Sequence, residues 1–289
     1  TDDTRERVEA VSARDGRVRL LDNPRQLSSA ARAVGAEAAR GAYVVYVDGH
    51  CRIPSRTLLA DAIELFERKG ADCLARPQPL EPTHGGIRAR AIAAARHSPF
   101  GHSLRSEIFD REKEAEVSPV SSGAMYRREV FDRVGTFDAS FDACEDVEFN
   151  TRVEQAGLTT WTSPKLAVEY EPRRTYRGLF RQMFRYGLGR ARLHRKHPDA
   201  FSWESLVPVA LLLGIPCLLA SPWIPPPGSW IVWGLWGLYL LLAVLFGAKA
   251  ASKAGWGLLP WIVVAFAVTH AGLGAGYLKG RLTTAPRSP

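Results

Sequence analysis

A chain of 289 residues with 46% hydrophobic and 24% charged side chains is long enough to bury a sizeable core, in one large domain or two smaller ones. Its net charge of +8 is concentrated, since nine cations between Arg173 and Lys196 stand in a stretch without an acid and leave the remainder near neutrality. Four scattered cysteines, Cys51, Cys73, Cys144 and Cys217, form no C-x-x-C pair; this suits reduced cytoplasmic thiols and excludes a disulfide framework.

In chain order, RVRLL at 17–21 predicts a short strand and DNP a turn. Ser28 starts an Ala-rich helix through Arg40, which Gly41 ends. The run YVVYV at 43–47 then predicts a strand buried on both faces, and it stops at Asp48-Gly49-His50. Ligands in α/β proteins collect at the carboxyl ends of strands, so Asp48 and His50 are candidate site residues, although Asp-Gly also makes simple turns. A helix at 55–69 closed by Gly70 and a strand at 71–75 complete a βαβ spacing, which predicts a mainly parallel sheet flanked by helices. Residues 76–120 read as a variable insertion around a helix at 88–96, and Met125-Tyr126 as a short strand leading into a helix.

The stretch FDASFDACEDVEFNTRVEQAG holds a second acidic focus, Glu145-Asp146, opening a helix that Gly157 ends. Acids in a first helical turn complement the macrodipole, the role read for Glu148 and Glu154. Behind an aromatic loop, Glu145-Asp146 also suits general-base chemistry. A third focus, FRQMFRYG, sets Gln182 and Arg185 on one helical face. Two readings stand: an amphipathic helix on lipid with snorkelling arginines, or a site in which guanidinium groups hold phosphate.

From Leu206 onward there is no Asp or Glu, and apolar runs at 206–224, 230–246 and 256–277 predict a membrane region. Its basic approach favours a membrane surface over nucleic acid, with Arg195 facing lipid headgroups; no zinc-finger, homeodomain or RNP pattern is present. Three crossings would put Lys279, Arg281 and Arg287 opposite the basic cluster, against the positive-inside trend. That leaves open a re-entrant or interfacial segment.

In this order, the three foci resemble the family-2 inverting glycosyltransferases of the GT-A fold, with their DxD, ED and QxxRW motifs. The counterparts here are Asp48-Gly49-His50, Glu145-Asp146 and Gln182-Met183-Phe184-Arg185-Tyr186. PRQLSSAARAVGAEAARGAYVVYVDG is similar to the family's stretch before DxD, and SSGAMYRREVFDRVGTFDASFDACEDVEF to its acceptor-side segment. Within the family the chain resembles the membrane-bound succinoglycan-type glucosyltransferases. His50 replaces the last Asp of DxD, and Tyr186 the Trp of QxxRW. TDDT looks like the end of the family's nucleotide loop, so the chain is expected to be N-terminally truncated and, as a fragment, inactive.

The resemblance implies an α/β GT-A domain at 1–200, with a mixed, mainly parallel sheet flanked by helices and lacking its first strand and nucleotide loop, and a helical membrane region at 201–289 with two to three spans. It implies transfer of a sugar, glucose in the first instance, from a UDP-sugar to a polyprenyl-linked glycan in exopolysaccharide or cell-envelope polysaccharide synthesis. The protein would be multi-pass in the inner membrane with its catalytic domain in the cytoplasm. Asp146 would be the catalytic base, Asp48 a donor ligand, and Asp48 with His50 would hold a divalent cation, Mn or Mg. Glu145, Gln182, Arg185 and Tyr186 would serve the acceptor or diphosphate. Membrane lipid is an expected partner and nucleic acid is not. The competing readings are a membrane-tethered, non-catalytic GT-A-like binding protein and a basic adaptor binding nucleic acid through 173–197.

Overall fold

The computed structural model of the chain describes residues 3–49, 51–82, 84, 86–102, 108–109 and 112–283. Helices α1 (Thr4–Ser12) and α2 (Ser28–Ala38) precede β1 (Tyr43–Val45), β2 (Cys51–Arg52), α3 (Leu58–Lys69) and β3 (Cys73–Ala75). Then come α4 (Gly86–His97), β4 (Ala115–Glu116), α5 (Pro119–Ser122), β5 (Gly123–Arg127), α6 (Arg128–Val134), α7 (Glu145–Gln155), β6 (Thr160–Thr162) and β7 (Glu169–Tyr170). Longer helices follow: α8 (Tyr176–Lys196), α9 (Val207–Ala220), α10 (Gly228–Ala254) and α11 (Leu259–Leu282).

The main sheet has the order β1-β5-β3-β6-β4, and β2 pairs with β7 in a small antiparallel ladder. In this sheet β3 and β6 pair in parallel, while β5 runs against β1 and β3, and β4 against β6. The sheet is therefore mixed, as expected, with parallel pairing in the minority instead of the majority. The single turn of α5 splits one pass of chain into β4 and β5, so both strands oppose β3 and β6. RVRLL at 17–21 forms no strand: it finds no partner among the described strands, and Leu20 and Leu21 stay exposed.

Alternation along the strands builds the two faces of this sheet. Leu74 and Met125 pack against Leu58, Leu65 and Phe66 of α3, while Cys73 and Tyr126 meet Ala33 of α2, Val130 of α6 and Phe149 and Val153 of α7. α3 stops where Gly70 adopts φ +61°, which its missing Cβ permits.

A separate core joins Ala91, Ile92 and Ala95 of α4 and Leu179 and Met183 of α8 to Ala243 and Ala251 of α10 and Ile262 and Phe266 of α11. Segments Trp203–Trp223, Gly228–Ala254 and Trp256–Leu282 are each long and apolar enough to cross a membrane. Pro208 sits in the first turn of α9 and Pro222 in a 3-10 turn beyond it, where a missing N–H costs least; Pro216 is accommodated inside the helix.

Of these segments, α11 is bound to α8 along its length. Tyr176 Oη donates to the Trp261 carbonyl at 2.9 Å near one end, and the Arg195 guanidinium donates to the carbonyls of Gly280 (2.8 Å) and Thr283 (3.2 Å) at the other. Arg195, itself exposed, thus satisfies orphan carbonyls at the C-terminus of α11. Between these ends the backbones nearly touch: a Cβ on Gly276 would lie 2.0 Å from the Phe184 carbonyl oxygen, and one on Gly187 2.2 Å from that of Leu273.

Candidate active site

Asp48 lies just past β1, whose hold on β5 is prolonged by the Tyr46 N–H donating to the Ala124 carbonyl (3.0 Å). Its own carbonyl accepts from the Cys51 N–H at 3.0 Å, closing a turn through Gly49. His50, the other half of this focus, lies outside the described residues. Facing β1, α2 has one buried stripe of Ser29, Ala30, Ala33 and Ala36. Ser28 and Arg32, four residues apart, line up beside it.

The Arg32 guanidinium joins the two acidic foci. Its Nη2 donates to Asp48 Oδ1 at 2.9 Å, and its Nε stands 3.9 Å from Glu145 Oε1. Ser28 Oγ donates to the same Glu145 oxygen at 2.6 Å. The Arg32 side chain is only 16% exposed, and its central carbon lies 5.7 Å from each ring centroid of Tyr46 and Phe137, within cation–π range. Burial alone would loosen its proton, but the charges of Asp146, Asp48 and Glu145 outweigh that and hold Arg32 more firmly protonated than usual. Beneath it, buried Arg76 donates to the Tyr46 carbonyl at 2.7 Å.

The two acids opening α7 behave differently. Glu145 is buried and turns inward to Ser28 and Arg32, while Asp146 is half-exposed and accepts from the Val147 N–H at 2.8 Å. Only Asp146 of the pair therefore has access to an incoming group. The turn before them is tight, with Cys144 in the left-handed region at φ 60°, and burial pushes its thiol up to about 12, so it stays protonated.

Helix α8 closes the other side. Cys144 Sγ donates to the Tyr186 carbonyl at 3.6 Å, and a Cβ on Gly189 would lie 2.6 Å from the Ala143 carbonyl oxygen. Arg185 donates to the Asp142 carbonyl, Arg192 to the Asp142 carboxylate and Lys196 to Asp138 at 2.6 Å. Gln182 Nε2 donates to the Tyr186 hydroxyl at 3.2 Å. Burial raises that hydroxyl's pKa, which the Asp146 charge reinforces and Arg96 opposes. Arg185 and Tyr186 thus border the loop that leads into Glu145 and Asp146, with Gln182 bonded to Tyr186 and Arg185 exposed and fastened to that loop.

Glu148 departs from the dipole role read for it. It is fully buried, bonded by Arg152 (2.9 Å) and His197 (3.0 Å) and paired with Lys196 at 2.8 Å. Burial pushes its carboxyl up, and the bonds from Arg152, Lys196 and His197 more than reverse this, leaving it below its ordinary value. Glu154 accepts from Ser118 Oγ at 2.7 Å.

Among the described residues no three His, Cys, Asp or Glu side chains come together to hold a metal ion. Asp48 nevertheless fits one, because Mg and Mn commonly take one or two carboxylates and complete their shell from phosphate oxygens and water.

A family model described as glycosyl transferase family 2 matches residues 1–135, and a second, glycosyl transferase family group 2, matches residues 108–268. The succinoglycan biosynthesis protein ExoA of Rhizobium meliloti (strain 1021) is 31% identical over 252 residues, covering 82% of this chain and 73% of that protein. The chain belongs to glycosyl transferase family 2. As a family-2 glycosyltransferase it is also 25% identical over 170 residues to the glycosyltransferase AglE of Haloferax volcanii, covering 59% of this chain and 52% of AglE. Its fold is similar to that of the mannosyltransferase PcManGT from Pyrobaculum calidifontis, solved in complex with GDP-Man and Mn2+. The TM-score is 0.53 at 17% identity, covering 97% of this chain and 74% of that one, which supports the GT-A fold and nothing finer.

Sequence reasoning missed Arg32, Ser28 and Arg76. For Arg32 a signal existed: an arginine four residues after Ser28, bordering the alanine face of a helix that leads into the Asp48 strand.

Proposed function

We propose that the protein in its full-length form transfers a hexose, glucose in the first instance, from a UDP-sugar to a polyprenyl-linked glycan by a single inverting displacement. The observation that carries this is the meeting of Asp48 and the Glu145-Asp146 pair around one guanidinium, beside a helix bearing Gln182, Arg185 and Tyr186. The similarity to ExoA, a succinoglycan biosynthesis protein, supports exopolysaccharide or envelope polysaccharide assembly as the setting.

In this reading Asp146 takes the proton from an acceptor hydroxyl as its oxygen bonds to the anomeric carbon, while the bond from that carbon to the nucleotide diphosphate breaks and its electron pair leaves with the diphosphate. The bond from the Val147 N–H fixes one carboxylate oxygen and leaves the other for the proton. Asp48 binds the donor. A divalent cation, Mn or Mg, held by Asp48 and by His50, would neutralise the leaving diphosphate. Gln182, Arg185 and Tyr186 orient the acceptor or diphosphate, and Glu145 acts from behind, through Arg32 and Ser28.

The acceptor's lipid follows from what surrounds α8. Arg173, Arg177 and Arg181 are exposed at four-residue intervals beside exposed Phe180, as suits anionic headgroups. Since α11 runs with this cationic helix, hydrocarbon is an unfavourable place for the pair. We assign the bilayer crossing to the hairpin of α9 and α10, with α11 at the cytoplasmic interface of the inner membrane. Lys279 and Arg281 then fall on the same side as the basic cluster.

The test is a donor screen on the protein in membrane vesicles with UDP-glucose, UDP-galactose and GDP-mannose, reading nucleotide release and label in the lipid phase. UDP release with lipid-linked product is expected. Nucleotide binding without release would favour the non-catalytic reading, and turnover of GDP-mannose alone would overturn the donor.

A further inference from the structure

Arg32 is the half-buried cation at which three acids from two distant parts of the sequence converge. Asp48 comes from the loop after β1, and Glu145 and Asp146 from the first turn of α7. Two different nitrogens of one guanidinium face them, Nη2 toward Asp48 and Nε toward Glu145. Tyr46 and Phe137, whose ring centroids lie 5.1 Å apart, face the group from one side, and Tyr46 further ties α2 to β1 by donating its hydroxyl to the Arg32 carbonyl at 3.1 Å. Glu145 is locked a second time, by Ser28 from the same helix. A salt bridge serving stability alone needs one acid. Here a single planar fork spans two elements that carry different parts of the proposed chemistry.

We propose that Arg32 is a positioning residue that fixes the distance between the donor side and the base side of the site, holding Asp48 directly and Asp146 through its neighbour Glu145. This rests on the reading of Asp48 and Asp146 given above. Removing the guanidinium leaves Glu145 buried and held by Ser28 without a cation beside it, so the first turn of α7 loses its register against Asp48. A lysine keeps the charge but, as a point donor, cannot reach both acids with separate nitrogens.

The experiment compares Arg32→Lys, Arg32→Met, Glu145→Gln and the double variant Arg32→Met/Glu145→Gln in vesicles. It measures kcat and donor KM, the affinity for UDP with Mn in the absence of acceptor, and thermal stability. For Arg32→Met the account expects kcat to fall about 100-fold and UDP binding several-fold, with Arg32→Lys recovering about half of the loss on a logarithmic scale. It also expects the double variant to lose little more than Arg32→Met, because the two residues act as a unit. If Arg32→Met does not fold, Arg32→Lys still decides, with a kcat loss of about tenfold expected.

Parental kcat in folded Arg32→Lys, equal losses in Lys and Met, or simple additivity with Glu145→Gln would each overturn the inference. Failure of the underlying reading looks different: Asp146→Asn would then retain transfer whatever Arg32 does.

Discussion

The site and the α8–α11 seam are held together by opposite means. Around Arg32 the contacts are opposite charges, 2.9 Å away at Asp48 and 3.9 Å away at Glu145, half-open to solvent; along the seam they are backbones brought together by Gly187, Gly272, Gly276 and Gly280, where even a methyl group has no room. The seam also separates apolar helices of similar composition: 39% of the most apolar stretch in the third candidate span is buried in protein, against 11% in each of the others. Hydropathy reports what a helix is made of, and packing reports what it touches. The regions meet where Gly189 of α8 abuts Ala143 and Cys144, directly before Glu145. A change in the seam should therefore act on folding first and on chemistry through it, whereas a change in the site should act on chemistry alone.

The largest break in this comparison comes from Gly276→Leu. Its side chain must enter the space of the Phe184 carbonyl, an overpacking expected to cost roughly 3 kcal/mol or more, and the protein should lose its cooperative melt and become protease-sensitive. An unchanged melt would mean that α11 does not lie on α8.

Arg185 and Arg195 sharpen the comparison, since they sit on the same helix and serve different regions. Arg185→Ala should cut transfer about tenfold or more with little change in melting, because it frees the loop ahead of Asp146. Arg195→Ala should instead cost about 1–3 kcal/mol of stability and leave turnover per folded molecule within about threefold. Equal effects on both measures would erase the distinction.

A smaller effect is expected from acid. His194 of α8 is buried against the Tyr277 hydroxyl of α11 at 3.1 Å, and burial, with Arg190 and Arg281 nearby, lowers its pKa to about 4. The unfolded chain takes up this proton first, near pH 6.5, so the stability it contributes is complete above that value. It is lost as pH falls toward 4, by about 3 kcal/mol at most. Melting temperature against pH should show this slope, and His194→Gln should flatten it. Asp138, with its pKa lowered to about 2, stays ionised across this window: burial raises it, but bonds from Lys196 and Ser140 prevail.

The strand that ends at Asp48 and the acids opening α7 were legible because a β-branched run and a charge pair are local patterns. Strand direction was not: periodicity is the same for parallel and antiparallel pairing, so β5 entering against β1 and β3 leaves no trace in the spacing. Arg32 was hidden by its setting, since an arginine in an alanine-rich helix resembles a solvated face until the fold brings Asp48 and Glu145 onto it. Glu148 misled for the same reason, its partners Lys196 and His197 lying about fifty residues away. The partners of the basic stretch were equally hidden: Arg185, Arg192, Arg195 and Lys196 are bonded within the protein to groups about 40 to 90 residues away in sequence.

The central claim is that Asp146, at the junction of these two regions, takes the acceptor's proton. Its most direct test is Asp146→Asn in membrane vesicles, with donor binding, melting temperature and transfer measured on the same preparation. The account predicts unchanged melting, donor affinity within about threefold of the parent and transfer reduced by at least about 100-fold. Transfer retained within about tenfold, with the donor still bound, would contradict it.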